Sequence, residues 1–489
     1  MKTNSLDFDA QALREKILDL AMRGKLVKQD PNDEPASVLL EKIKAEKAEL
    51  VKEKKIKKSK SLPEITDDEK PFDIPDSWEW VRLGEIGSII SGGTPKKSEK
   101  SYWDKANIPW ITPASMAATQ NEIVYKNDDL KFINKNGLEH SSAHLISANS
   151  IVVSSRAPIG YVNIVPFDYT TNQGCKSIAP YTYIENKYIY FVIKFTTPDM
   201  YKRASGTTFK EISGTRFGET VIPLPPLEEQ SRIAAKIAQL FALLRKVESS
   251  NQQYAKLQTL LKSKVLDLAM RGKLVKQDPN DEPACVLLEK IKAEKAELVK
   301  EKKIKKSKPL PEITDEEKPF DIPDSWEWVR FDDILDVRDG THDTPKYVAN
   351  GVPLITSKNI NSGKLDFTNI NFISENDFQA INARSKVDKG DIIFAMIGTI
   401  GNPVLVDTDR KFGIKNVALL KHFTSELNMY FVLDYLLVLQ VMWNSTASGG
   451  VQKFVSLRKI RKSIIPLPPL AEQNQIVRKI DKISKMLGE

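Results

Sequence analysis

The chain has 489 residues, 41% hydrophobic and 28% charged, ordinary values for a globular protein with room for two or three cores. Its formal charge is +8, and with four histidines and two cysteines it holds little material for a disulfide framework or a zinc site. The start MKTNSLDFDA has no apolar signal core, and the longest apolar run, MYFVLDYLLVL at 429–439, is short for a membrane span and broken by Asp434, so a cytoplasmic protein is expected.

Near the N-terminus Leu13, Ile17 and Leu20 recur at helical spacing. Residues 18–82 then return almost unchanged at 266–330, where Ser37 becomes Cys285, Ser61 becomes Pro309 and Asp68 becomes Glu316. A long internal repeat dictates architecture before any local motif does. Each copy predicts a basic helix, over 37–58 and 285–306, with Leu39, Ile43 and Leu50 on one face of the first and Pro63 and Pro311 ending the two runs. Residues 41–60 and 289–308 each hold nine Lys and four Glu; together they carry +10, so the rest of the chain is −2. Such tracts are either solvated helix faces or sequence-independent phosphate contacts, and composition leaves both open.

The segments that follow, 83–220 and 331–463, read as mixed α/β modules with short strands, distantly related to each other. SGGTP at 91–95 answers RDGTHDTP at 338–345, and IPWIT at 108–112 answers VPLIT at 352–356. SIVVSSRAPIG at 150–160 answers DIIFAMIGTIG at 391–401, and SGTTFKEIS at 205–213 answers SGGVQKFVS at 448–456. The matched parts are apolar strands and glycine turns, which build a core. The residues between them differ, as Arg156 does from Ile397. One scaffold carries two surfaces.

VIPLPPLEEQ at 221–230 matches IIPLPPLAEQ at 464–473, each placing proline before a first helical turn. Beyond the first, Ile233, Ile237, Leu240, Leu244, Val247, Asn251, Tyr254, Gln258, Leu261, Val265 and Leu268 alternate steps of four and three, the period of a coiled-coil seam. The helix should run about 45 residues, roughly 65 Å at 1.5 Å per residue, and stop at Gly272. Ile476, Ile480, Ile483 and Leu487 repeat the first part of the seam, while Leu13, Ile17 and Leu20 repeat its last part. The two chain ends are therefore expected to form an antiparallel partner, interrupted opposite residues 247–256.

No catalytic constellation is visible. Each Gly-Lys pair is followed by Leu, not the Ser or Thr of a phosphate loop, and NPVL at 402–405 is not the Asn-Pro-Pro-aromatic motif of adenine methyltransferases. His140 and His144 lack a third ligand, and GDII at 390–393 lacks the Glu-x-Lys that a nuclease strand would need. Neither a catalytic residue nor a metal site is nominated.

PLPPLxEQ before each helix, MRGKLV in each block and IPDSWEWVR at the head of each module, duplicated in this order, closely resemble the specificity subunit of type I restriction-modification systems. The likeness covers nearly the whole chain. It implies a non-catalytic DNA-recognition subunit with a mixed α/β fold: two globular target-recognition domains separated by a long antiparallel two-helix coiled coil, in a pseudo-two-fold internal repeat. The corresponding boundaries are 1–76 for an N-terminal helical region, 77–222 for the first recognition domain and 223–318 for the central helical spacer, with 319–465 for the second domain and 466–489 for the C-terminal helix. Each domain is expected to read one half of a bipartite, asymmetric double-stranded DNA site. The helices set the spacer and dock two methyltransferase subunits, to which motor-nuclease subunits add. S-adenosylmethionine, ATP and magnesium belong to those partners, and none is expected in this chain. A stand-alone bipartite DNA-binding protein of repressor type is the alternative.

Base edges and phosphates are read by Arg, Lys, Asn, Gln, Ser and Thr on loops. In the first module the candidates are Thr94, Lys96, Lys97, Arg156, Lys176, Thr207, Thr208 and Lys210. In the second they are Thr341, His342, Lys346, Lys358, Asn359, Lys415, Asn416, Gln452 and Lys453.

Overall fold

A computed structural model describes the chain except for residues 1–7, 57, 59–60, 119–121, 125–129, 207–209, 362, 398–399, 447–453 and 488–489. The chain divides into two compact units between Asn251 and Gln252, inside the helix Leu227–Met270.

In the first unit the repeated block is organised by a buried carboxylate. Glu229 accepts Trp78 Nε1 at 2.9 Å on one oxygen and Gln29 Nε2 at 2.6 Å on the other. Burial raises its pKa above the ordinary carboxylate value, and these two donors offset part of that cost. Gln230, next along, donates to Pro225 O at 2.9 Å and accepts Glu185 N at 3.0 Å. The acidic residue and glutamine of the PLPPLEEQ motif thus fasten helix, proline turn and module together. Strand Glu79–Arg82 pairs antiparallel with Val221–Leu224, which brings the two ends of the module side by side. Arg82 is buried, and its guanidinium donates to the carbonyls of Pro63, Glu64 and Glu219 and to both oxygens of Glu69. Gly24 ends the helix Ala10–Met22 at φ +66°, where a Cβ would lie 2.5 Å from Pro75.

The N-terminal helix runs antiparallel to the start of the long one. Arg14 Nη1, near the start of that helix, bonds Glu248 Oε1 at 3.0 Å, whereas Gln29 and Asp33, beyond its end, bond Glu229 and Arg232 in the first turns of the long helix. Leu18, Ala21 and Met22 enter one core with Ile233, Ala234 and Ile237.

The second unit repeats this arrangement. Trp326 and Gln277 donate to Glu472, and Gln473 closes onto Pro468 O and Asn428 N. Gln258 Nε2 reaches Leu487 O at 2.8 Å, so the C-terminal helix Leu470–Met486 is antiparallel to the end of the long helix. Strand Glu327–Arg330 pairs with Ile464–Leu467.

The heptad expectation holds only in part. Ile233, Ile237 and Val265 are buried, but the seam residues Val247, Tyr254 and Leu261 are exposed. Every residue from Ser249 to Leu257 is exposed.

Each module holds a four-stranded antiparallel sheet. In the first the order is Gly87–Ser91, Cys175–Pro180, Ser150–Ser155, Ile159–Val165. In the second it is Leu335–Asp339, Val417–His422, Ile392–Ala395, Gly401–Leu405. A smaller sheet in each includes one parallel pairing, Ile108–Ile111 with Thr170–Thr171 and Val352–Ile355 with Gly413–Ile414. The apolar run at 429–439 lies in the helix Met429–Thr446, whose Phe431, Val432, Tyr435 and Leu436 are core residues. Among the described residues no helix is long and apolar enough to cross a membrane.

Candidate nucleic-acid interface

The loop after the first sheet strand and the turn before the second pack together in both modules. In the first, Gly92 N donates to Cys175 O and Gly93 N to Thr171 O. A Cβ on Gly92 would lie 1.9 Å from Asn172 O, and one on Gly93 would lie 2.2 Å from Ser142 C, so both contacts demand glycine. This closeness sets Thr94 Oγ1 against Gln173 Oε1. Gln173 O in turn accepts Lys176 Nζ at 3.1 Å, and Lys176 and Arg156 share the carboxylate of Glu211. One polar network therefore joins Thr94, Gln173, Lys176, Glu211 and Arg156.

The second module builds its network on the same two elements with other chemistry. Gly340 N donates to Val417 O and Thr341 N to Ile414 O. His342 stands between Asp339 Oδ2, 2.9 Å from Nε2, and Asn416 Oδ1, 3.2 Å from Nδ1. Lys415 Nζ bonds Thr344 Oγ1.

Of the residues nominated from sequence, Thr94, Arg156 and Lys176 come together in one network, and Thr341, His342, Lys415 and Asn416 in the other. Lys96, Lys97, Lys346 and Lys358 are exposed, and Lys210 lies with its ammonium 4.3 Å from the Tyr201 ring centre. Thr207, Thr208, Gln452 and Lys453 lie outside the described residues.

Two nominations are corrected. Asn359 is 6% exposed, and its amide donates to Asp366 O and Asn369 O while its oxygen accepts from Thr356 N and Oγ1. All its hydrogen-bonding capacity is spent on closing a turn, leaving none for a base. Lys176 is 5% exposed and bonds within the module, so it anchors the network from below and is not a surface contact.

Sequence reading missed Glu211 and Asp339, since an acidic side chain carries no compositional mark of DNA contact, and it passed over Gln173, whose type fits but whose place beside Thr94 only the packed glycine loop reveals. One signal was present for Glu211: it answers Phe454 between SGTTFKEIS and SGGVQKFVS, a charged-to-apolar difference like that of Arg156 and Ile397 in another matched pair.

Two groups suited to covalent chemistry are otherwise engaged. Burial pushes the Cys175 thiol up to about 12, far from a reactive thiolate. Asp391 of the GDII segment accepts Asp388 N at 2.7 Å and pairs with Lys421, closing a turn. Among the described residues no cluster of three His, Cys, Asp or Glu is placed to hold a metal.

Two modules of one fold thus carry different polar networks at the same edge. The family model of the type I restriction modification DNA specificity domain matches residues 75–258 and 323–488. The specificity subunit of the type I restriction enzyme EcoAI from Escherichia coli is 33% identical, over 97% of this chain and 89% of that protein. That of EcoEI, also from Escherichia coli, is 31% identical over 99% and 90%. The chain belongs to the type I restriction-modification specificity subunit family, whose role in the restriction-modification complex is non-catalytic. Solved structures share the fold. The HsdS subunit from Thermoanaerobacter tengcongensis gives a TM-score of 0.51 at 20% identity, covering 85% of this chain and 91% of that one. A chain from a structural study of assembly and conformational transition in the type I system gives 0.57 at 19% identity, covering 85% and 92%.

Proposed function

We propose that each module reads one half of a bipartite, asymmetric double-stranded DNA site, and that the helices set the unread spacer between the halves. The observation that carries this reading is the pair of polar networks. They are built on equivalent loops, yet Arg156, Glu211 and Gln173 serve one module and His342, Asp339 and Asn416 the other. A symmetric site would need no such difference. The near-identical blocks 18–82 and 266–330 offer one surface twice, which suits two copies of one partner, the methyltransferase subunit. Those subunits bring S-adenosylmethionine and methylate adenine, while motor-nuclease subunits add ATP and magnesium chemistry.

The test is genome-wide mapping of N6-methyladenine in the source cell with and without the gene. Deletion is expected to erase one bipartite motif and leave every other motif intact. Unchanged methylation with altered transcripts would replace this reading with a stand-alone DNA-binding protein.

A further inference from the structure

The first module places three charged side chains where the second has none. Arg156 faces Glu211 across an antiparallel bridge, and Lys176 lies opposite Val153 in the neighbouring strand. The equivalent bridge in the second module joins Ile397 to Phe454, and the residue opposite Phe394 is Ala418. All three members of a charged set have been exchanged for apolar ones.

Lys176 holds the set from inside. Its ammonium has three protons and three acceptors, Gln173 O at 3.1 Å, Ser155 Oγ at 3.3 Å and Glu211 Oε1 at 3.4 Å. It keeps no donor for DNA, and its charge is balanced by Glu211. The other carboxylate oxygen, Oε2, takes Nη1 of Arg156 at 3.3 Å. Arg156 therefore retains its Nε–Nη2 edge, two parallel N–H groups that match O6 and N7 of guanine. Its side chain is 37% exposed, so the guanidinium is not sealed inside the module. A free surface arginine samples many rotamers; one tied to an anchored carboxylate loses less entropy on binding.

Building on the DNA-recognition reading above, we propose that Glu211 is a positioning residue for specificity: held by Lys176, it sets Arg156 to read a guanine in the half-site of the first module. Glu211 acts through Arg156 and does not touch the base. The second module, with Ile397, Ala418 and Phe454 at these positions, reads its half-site by other means.

The experiment uses the full chain assembled with its methyltransferase subunits, scoring the methylated motif and the methylation rate on duplexes varied one base pair at a time. Arg156→Lys and Glu211→Gln are expected to relax the same G·C pair of one half-site, each lowering the preference for guanine about tenfold, with the other half-site unchanged. Arg156→Lys weakening all sequences equally and lowering the salt dependence would make Arg156 a phosphate contact and overturn the proposal. So would relaxation of different pairs by the two variants. Should Glu211→Gln fail to fold, the combined variant Arg156→Ile, Lys176→Ala, Glu211→Phe gives the module the apolar set that its counterpart carries; retention of the guanine preference there would sink the idea. If the unmodified complex places no methylation that depends on this chain, the DNA-recognition reading falls first and takes the proposal with it.

Discussion

Asp434 sits where its module's counterpart carries an aromatic ring. Glu185 N and Asn428 N donate to the side-chain oxygens of Gln230 and Gln473 at equivalent places, and six residues further on come Phe191 and Asp434. Phe191 packs edge-on against Phe241 of the long helix at 5.7 Å. Asp434 has no hydrogen bond or ion pair among the described residues, and burial pushes its pKa up to about 7. Since the folded-state pKa lies above the unfolded one, the protonated form is the one the fold accepts. Stability is whole below pH 4 and declines as the pH rises toward 7. Asp434→Asn, which mimics the protonated acid, should raise the unfolding midpoint at pH 8 and leave it unchanged near pH 4. The shift of about three units corresponds to about 4 kcal/mol; the side chain keeps some solvent contact, so a gain of about 1–3 kcal/mol is expected. Thermal melts across pH check this, and an equal gain at pH 4 and pH 8 would contradict it.

At the scale of elements, Arg82 and Arg330 tie an irregular strap to each module. Arg330 Nε donates to Pro311 O at 3.0 Å, Nη2 to Glu312 O at 3.1 Å, and Nη1 to Lys462 O at 2.7 Å, with the Glu317 carboxylate closing the set. The hydrogen bonds from Arg330 hold the Glu317 pKa below its ordinary value, so this contribution is present at neutral pH and lost as the pH falls through the carboxylate range. Lysine has the charge but only three donors on one nitrogen, too few to serve three carbonyls and both oxygens of the Glu317 carboxylate together. Arg330→Lys is expected to cost about 2–4 kcal/mol and to expose residues 311–318 to limited proteolysis; a protease-resistant variant with an unshifted melt would refute the strap. These elements differ in how far sequence announces them. The repeat, the proline-led helices and the glycine loops were legible because period, capping and close approach each demand a residue type. Burial of Lys176 and Asn359 was not, since a lysine or asparagine looks the same in a string whether its donors meet water or a carbonyl. Glu211 became a site residue only once strand register set it opposite Arg156. The seam through Val247, Tyr254 and Leu261 shows the converse: the heptad pattern continues through residues that are exposed among the described residues.

At the scale of the whole chain, the exposed stretch is the place where length can change without disturbing a core. Ser249 to Leu257 are exposed throughout, and the boundary between the two compact units falls within them. Substitutions or insertions there remove no buried contact, in contrast to Ile233 and Ile237 in one core or Ile476 in the other. If the helix is the ruler of the proposed bipartite site, four residues inserted after Asn251 lengthen it by about 6 Å, close to two base pairs at about 3.4 Å each. The methylated motif should then keep both half-sites and gain one or two base pairs of spacer. Both modules retain their own loops in this variant, so a changed half-site would mean that recognition depends on the span and not on the polar networks. An unchanged spacer with normal methylation would mean that the partner subunits, not the helix, measure the distance. Because the insertion leaves each core intact, thermal unfolding should stay at its original temperature, and this separates a change in measurement from a loss of fold.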